Sequence, residues 1–365
     1  MKPCIVVLMV ISTIVLCGAA SAAEDQDPVI GGKKLSKLLK DIQSMNRGIQ
    51  VRAARKLGEA PPETAEAVIP KLIPLLKVER RNVHAWVAQA LGNFGAKSRG
   101  AVPDLLPLLE GTQFERNRAA AAKALGQILK DAKPSEEVEK VTKALVAGFN
   151  DQYSDVQREA VRACGMIGPA AKSCIPHLGG KLKGFTGGNW NRDAATLVRE
   201  QAAYACMRMG ELAKEHIDLL IVKLHQEGQK SPLFVKAIGA IGPVHENVVP
   251  NIVDKLEVPD PAMWYQIEAY EVLEKFGPKA APAASLLDRY LRESKMNGKG
   301  TIQIIKTLKA IGPAAKQYIP TLEKFKTAKK YSQRHGGAAT PEEMAEMNKL
   351  AGEAIETIKK EEKKK

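Results

Sequence analysis

The sequence predicts an all-α fold, a right-handed α-solenoid of about eight stacked helix pairs, and three observations carry that expectation. Gly-Pro pairs recur at Gly168-Pro169, Gly242-Pro243, Gly277-Pro278 and Gly312-Pro313. At Gly95/Pro103, Gly168/Pro176, Gly242/Pro250 and Gly312/Pro320 a turn glycine is followed eight residues later by a proline. Aromatic residues are only 5% of the chain, which suits small aliphatic interfaces between repeated units. Fixed periods of this kind mark a solenoid.

Each unit can be read from its turn glycine. One residue before it stand Phe94, Ile167, Met209, Ile241, Phe276 and Ile311. Four before are Leu91, Cys164, Cys206, Ile238, Leu273 and Leu308, and five before are Ala90, Ala163, Ala205, Ala237, Val272 and Thr307. Eight before come Val87, Ala160, Ala202, Phe234, Ala269 and Ile304. These offsets lie on one face of a helix, helix A. Ten residues after the glycine are Leu105, Leu178, Leu220, Ile252, Leu287 and Leu322. They form the stripe of helix B, with Val102, Ile175, Ile217, Val249, Ala284 and Ile319 seven residues after the glycine. Glycine supplies the left-handed residue that ends helix A, and proline suits the opening turn of helix B. One pair cannot bury both stripes, so neighbours must stack. Six units follow the columns, and two degenerate ones are read near Val51–Leu76 and Arg118–Phe149.

The segments Val156-Gln157-Arg158-Glu159-Ala160-Val161-Arg162-Ala163, Gly165-Met166-Ile167-Gly168-Pro169 and Ala101-Val102-Pro103-Asp104-Leu105 resemble the HEAT repeat family, in particular its bacterial branch related to phycobilin-lyase HEAT-like repeats. The resemblance covers residues 34–325. It implies a curved, armadillo-like superhelix with helix A outside and helix B lining a concave binding surface. For function it says little, because a fold does not specify one.

Residues 1–22 read as a secretory signal peptide. Lys2 precedes an apolar run from Ile5 to Leu16, and Ala20-Ser21-Ala22 offers a cleavage site before Ala23. An uncleaved anchor is the alternative, although the run is short for a span of about 20 residues. A lipoprotein reading through Cys17 meets bulky Leu16 where a small residue is needed. Export to the periplasm or medium is the expectation. Cys164, Cys174 and Cys206 then remain, an odd number that excludes a fully paired disulfide framework. Cys164 and Cys206 share a buried column and read as small apolar residues, with a bridge between them left open.

The formal charge is +14, one unit less once Lys2 is removed. In an exported chain that favours an acidic protein surface or an anionic envelope polymer, and it argues against nucleic acid. Thirteen residues after the turn glycine, successive units carry Lys181, Lys223 and Lys255 on helix B. Two readings compete for this ladder. It is an anion-binding stripe, or it is lysine complementing helix C-termini. Trp190, within the insert Gly184–Arg192, is the other binding candidate, as a recognition anchor or as a cover for its own repeat. A phosphate loop is excluded there, since no Gly-Lys-Ser/Thr follows.

Catalysis finds no support in the sequence. The deoxyhypusine-hydroxylase-like HEAT enzymes need several His-Glu pairs to hold iron, and this chain has only His245-Glu246, in an inter-helix turn. A tetrapyrrole-lyase function would rest on the shared repeat alone, and no nucleophile elbow is present. No metal or cofactor is expected. After a linker at 23–33 and the solenoid at 34–325, a basic linker spans 326–339 and a terminal helix 340–365. Thr340-Pro341-Glu342-Glu343 forms its capping box. Met344, Met347, Ala351, Ala354, Ile355 and Ile358 make a stripe that covers the last repeat or engages a membrane surface through the polybasic end. The expected function is a non-catalytic exported scaffold.

Overall fold

The computed structural model describes residues 27–78, 81–110, 113–184, 192–227, 231–257, 264–293, 297–331 and 338–360. The segment read as a signal peptide and the insert tryptophan, Trp190, lie outside the described residues. Among the described residues eight helix pairs follow one another. The first helices are Arg47–Gly58, Arg81–Asn93, Glu115–Ile128, Ser154–Ile167, Arg192–Met209, Leu233–Ile241, Trp264–Phe276 and Gly298–Ile311. Their partners are Ala65–Leu72, Val102–Leu105, Glu136–Gly148, Ile175–Lys183, Ile217–Glu227, Val248–Glu257, Ala284–Arg292 and Ile319–Lys326. The all-α solenoid is the fold, with one two-stranded antiparallel hairpin, Val29–Ile30 with Lys33–Lys34, inside the segment expected as a linker.

All six turn glycines, from Gly95 to Gly312, have φ between 56° and 96°. That is the left-handed region where a Cβ is strained, so glycine ends each first helix. The columns do not reveal that a 3₁₀ stretch, such as Gly168–Cys174 or Gly312–Tyr318, separates glycine from second helix. Proline then occupies the opening turn of the second helix, as at Pro103, Pro176 and Pro320. Leu91, Cys164, Cys206, Ile238, Leu273 and Leu308 are all 0% exposed, as are Leu105, Leu178, Leu220, Ile252, Leu287 and Leu322. The core is one ribbon of buried residues running from Ile30 to Ile358 between the two helix layers.

The layers are not equally tight. Each first helix packs along the next, whereas second helices lean largely on the neighbouring 3₁₀ stretch, as Glu136–Gly148 does on Gly168–Cys174. A seam of glycine and alanine explains the close approach. A Cβ added at Gly126 would stand 2.6 Å from the Ala163 Cα, and one at Gly92 would stand 2.9 Å from the Ala124 Cα. Backbone is the obstacle, and backbone cannot rotate away. Gly126→Ala is therefore expected to cost about 1–3 kcal/mol through overpacking, despite the better helix propensity of alanine. Urea unfolding would show it, and an unchanged midpoint would mean that the seam is looser than described.

The ends are closed differently. Ser36 donates from its backbone N–H (2.7 Å) and its hydroxyl (2.5 Å) to the Asp27 carboxylate, tying the hairpin to the helix Leu35–Ile42. At the other end, the helix Pro341–Lys360 packs on Gly298–Ile311 and Ile319–Lys326, burying Met347, Ala351, Ala354, Ile355 and Ile358. Its capping box is reciprocal. The Thr340 N–H donates to Glu343 Oε2 (3.0 Å) and the Glu343 N–H to Thr340 Oγ1 (3.2 Å). Tyr331, in the segment read as a basic linker, is buried, with its ring centroid 5.6 Å from that of Phe325.

Candidate functional site: the exposed face of the first helices

The lysine ladder on the second helices faces inward. Lys255 is only 7% exposed, and its ammonium approaches the His225 carbonyl at 3.5 Å. Lys181 donates to the Phe149 carbonyl at 2.5 Å and to Gln157 Oε1 at 3.3 Å, and burial pushes its pKa down. Lys223 donates to Gln226 Oε1 at 2.9 Å and pairs with Glu227 at 3.8 Å. One unit further on, Tyr290 holds the same position and donates its hydroxyl to the Leu256 carbonyl at 2.6 Å. Lys181, Lys255 and Tyr290 thus each satisfy a carbonyl at the C-terminal end of the preceding second helix. Lys223, by contrast, is held within its own helix.

A different row of cations reaches solvent. Offset six before the turn glycine falls opposite the buried face of each first helix, with offsets two and nine beside it. At offset six, in chain order, stand Arg55, Gln89, Lys123, Arg162, Tyr204, Lys236, Glu271 and Lys306, aligning the degenerate first and third pairs by their Leu-Gly steps at Leu57-Gly58 and Leu125-Gly126. Five of these are cations, and the mixture of cations with Gln89, Tyr204 and Glu271 leaves the row without a periodic signal in the sequence. In the later pairs they are neutralised in place. Lys236 meets Glu268 at 3.3 Å and Lys306 meets Glu346 at 3.2 Å, while nearby Lys309 meets Glu353 at 2.6 Å. In the earlier pairs, Lys123 and Arg162 have no ion-pair partner among the described residues, and Arg55 has only a 3.8 Å contact with Glu59. Half-buried Trp86 lies on the same face, with an indole nitrogen that is buried and has no partner.

Beneath this face, one polar node locks two units together. Arg118 Nε donates to Asp151 Oδ2 at 2.7 Å and Nη2 to Oδ1 at 2.9 Å, with the Tyr153 ring 5.6 Å from the guanidinium. Burial alone would raise the Asp151 carboxyl, but the Arg118 hydrogen bonds and the Tyr153 N–H outweigh it and hold its pKa below the ordinary value.

Elsewhere, the residues singled out for reactivity are engaged or enclosed. Cys164, Cys174 and Cys206 are buried free thiols, and burial, with Cys174 as neighbour, pushes the pKa of Cys164 and Cys206 upward. Such thiols are inert as nucleophiles. His245 Nε2 lies 3.0 Å from Asp218 Oδ1. Among the described residues no group of three or more His, Cys, Asp or Glu is placed to share a metal ion.

These features define a helical-repeat solenoid with a charged face on its tighter layer. Residues 33–126 match the family model described as HEAT repeats, and the stacked helix pairs continue beyond that segment. No curated protein matches the sequence. Among solved structures, an engineered protein is similar with a TM-score of 0.52 at 19% identity, over 89% of this chain and 98% of that one. The karyopherin Kap121p bound to Pho4p is similar with a TM-score of 0.59 at 14% identity, over 89% of this chain. Yeast importin-beta, Kap95p, has a TM-score of 0.56 at 12% identity over the same share. The chain spans 39% of Kap121p and 45% of Kap95p. At these identities the likeness is one of fold.

Proposed function

We propose that this protein is a non-catalytic scaffold, exported through residues 1–22, that binds an acidic protein segment on the exposed face of its first helices. The observation that carries the reading is the pair of cations Lys123 and Arg162, which stand in register on neighbouring first helices without counter-ions among the described residues. A stack that is tighter on one side curves toward that side. The Gly126–Ala163 seam therefore supports the first helices as the concave layer, the reverse of the arrangement implied by the family resemblance. Kap121p, solved in complex with Pho4p, Ulp1p and Nup53p, is a similar solenoid that binds proteins, which supports a protein partner here. Membrane contact through the terminal helix is not part of the proposal, since the apolar stripe of that helix is already buried on the last repeat.

Titration of residues 23–365 with polyglutamate and with polylysine tests it. Saturable binding of polyglutamate that weakens as salt screens the charges, with no binding of polylysine, is the expected outcome. Equal binding of both, or of neither, would overturn the reading.

A further inference from the structure

Packed helices lie about 8–10 Å apart. A polypeptide in the polyproline-II conformation advances about 3.1 Å per residue with three residues per turn, so every third side chain faces the same way. One step along the first-helix layer therefore equals about three residues, one full turn, of such a chain. The available cations stand in the first, third and fourth pairs, as Arg55, Lys123 and Arg162. The second pair, between Arg55 and Lys123, offers Gln89 and Trp86 in their place.

The groups beside the ladder are side-chain amides. Gln127 Nε2 reaches Asn93 Oδ1 at 3.4 Å, while Gln127 Oε1 is buried without a partner. Gln89 lies one turn before Asn93 on the same face. A carboxamide presents one acceptor and two donors, which matches the N–H and C=O of a peptide unit. A helical ligand has already satisfied those backbone groups internally, but an extended one has not.

We infer, building on the acidic-partner reading, that the ligand is an extended, polyproline-II-like polypeptide crossing the first helices of pairs one to four. Its carboxylates stand three residues apart over Arg162 and Lys123, and a third stands six residues further on over Arg55. The residue midway along that longer gap is uncharged and lies against half-buried Trp86. Gln89 and Asn93 pair with the backbone of the ligand.

The test uses labelled peptides of identical composition and fluorescence anisotropy, with polyglutamate as the reference. One peptide carries glutamates at positions 1, 4 and 10 of the register, a second has the three glutamates contiguous, and a third is a helix former with glutamates seven residues apart. The spaced peptide should bind about tenfold or more tighter than the contiguous one, and R162E should remove that advantage. Equal affinities, with polyglutamate still bound, would overturn the register and leave the acidic-partner reading intact. Preference for the helical peptide would overturn the extended conformation. Failure of polyglutamate, with a sulfated polysaccharide bound instead, would overturn both and make the partner an anionic polymer.

Discussion

Asp151→Ala is expected to destabilise the solenoid by about 3 kcal/mol, because it leaves the buried Arg118 guanidinium without a counter-charge. The Arg118 side chain is 4% exposed and that of Asp151 10%, so water cannot replace the lost partner without opening the turn between the third and fourth pairs. The Tyr153 N–H, which donates to Asp151 Oδ1 at 2.9 Å, would lose its acceptor as well. Acid should reproduce the effect in the parent protein. The folded-state pKa of Asp151 lies below its unfolded value, so its stabilisation is present at neutral pH and disappears as pH falls through the folded value, below about pH 4. Urea midpoints measured from pH 7 to pH 2 should show a steeper acid loss in the parent than in Asp151→Asn, which has no carboxyl there to protonate. Parallel pH profiles would show that the pair contributes nothing.

Much of the fold was legible in the sequence. The six turn glycines and the apolar columns repeat, and the same physical demand recurs in every unit: a left-handed residue, then two buried stripes. The 3₁₀ stretches were not legible, because they bury small residues such as Ala171, Ala213 and Ala315 that form no stripe of their own. The site was harder. Lys181, Lys223 and Lys255 looked like a surface ladder, yet Lys181 and Lys255 reach carbonyls of the preceding unit and Lys223 pairs within its own helix. Intra-unit spacing cannot show that a carbonyl of the preceding unit stands there. The same column holds Leu108, Tyr290 and Phe325, which is the signature of a position facing protein. Conversely, Arg55, Lys123 and Arg162 occupy a column that mixes cations with Gln89 and Tyr204. Only the ion pairs made by Lys236 and Lys306 reveal which end of that column remains free.

Reversing Lys123 and Arg162 together to glutamate is expected to weaken polyglutamate binding about a hundredfold, roughly tenfold for each residue. Each exchange removes an attraction and adds a repulsion at a position that has no ion-pair partner among the described residues. The nearby carboxylates Glu159 and Asp131 are taken up by Arg158 and Arg208. Stability should change little, since Arg162 is exposed and Lys123 only half-buried. Loss of folding would therefore not be the cause. The control is Lys172→Glu with Lys183→Glu, which alters net charge equally at exposed positions in the 3₁₀ stretch and the second helix of the fourth pair. The decisive measurement is the polyglutamate dissociation constant of the parent and these two double variants at one ionic strength. A hundredfold loss confined to the Lys123/Arg162 variant is the predicted result. Equal losses in both variants would show that binding follows overall charge and that the first-helix face is not the site.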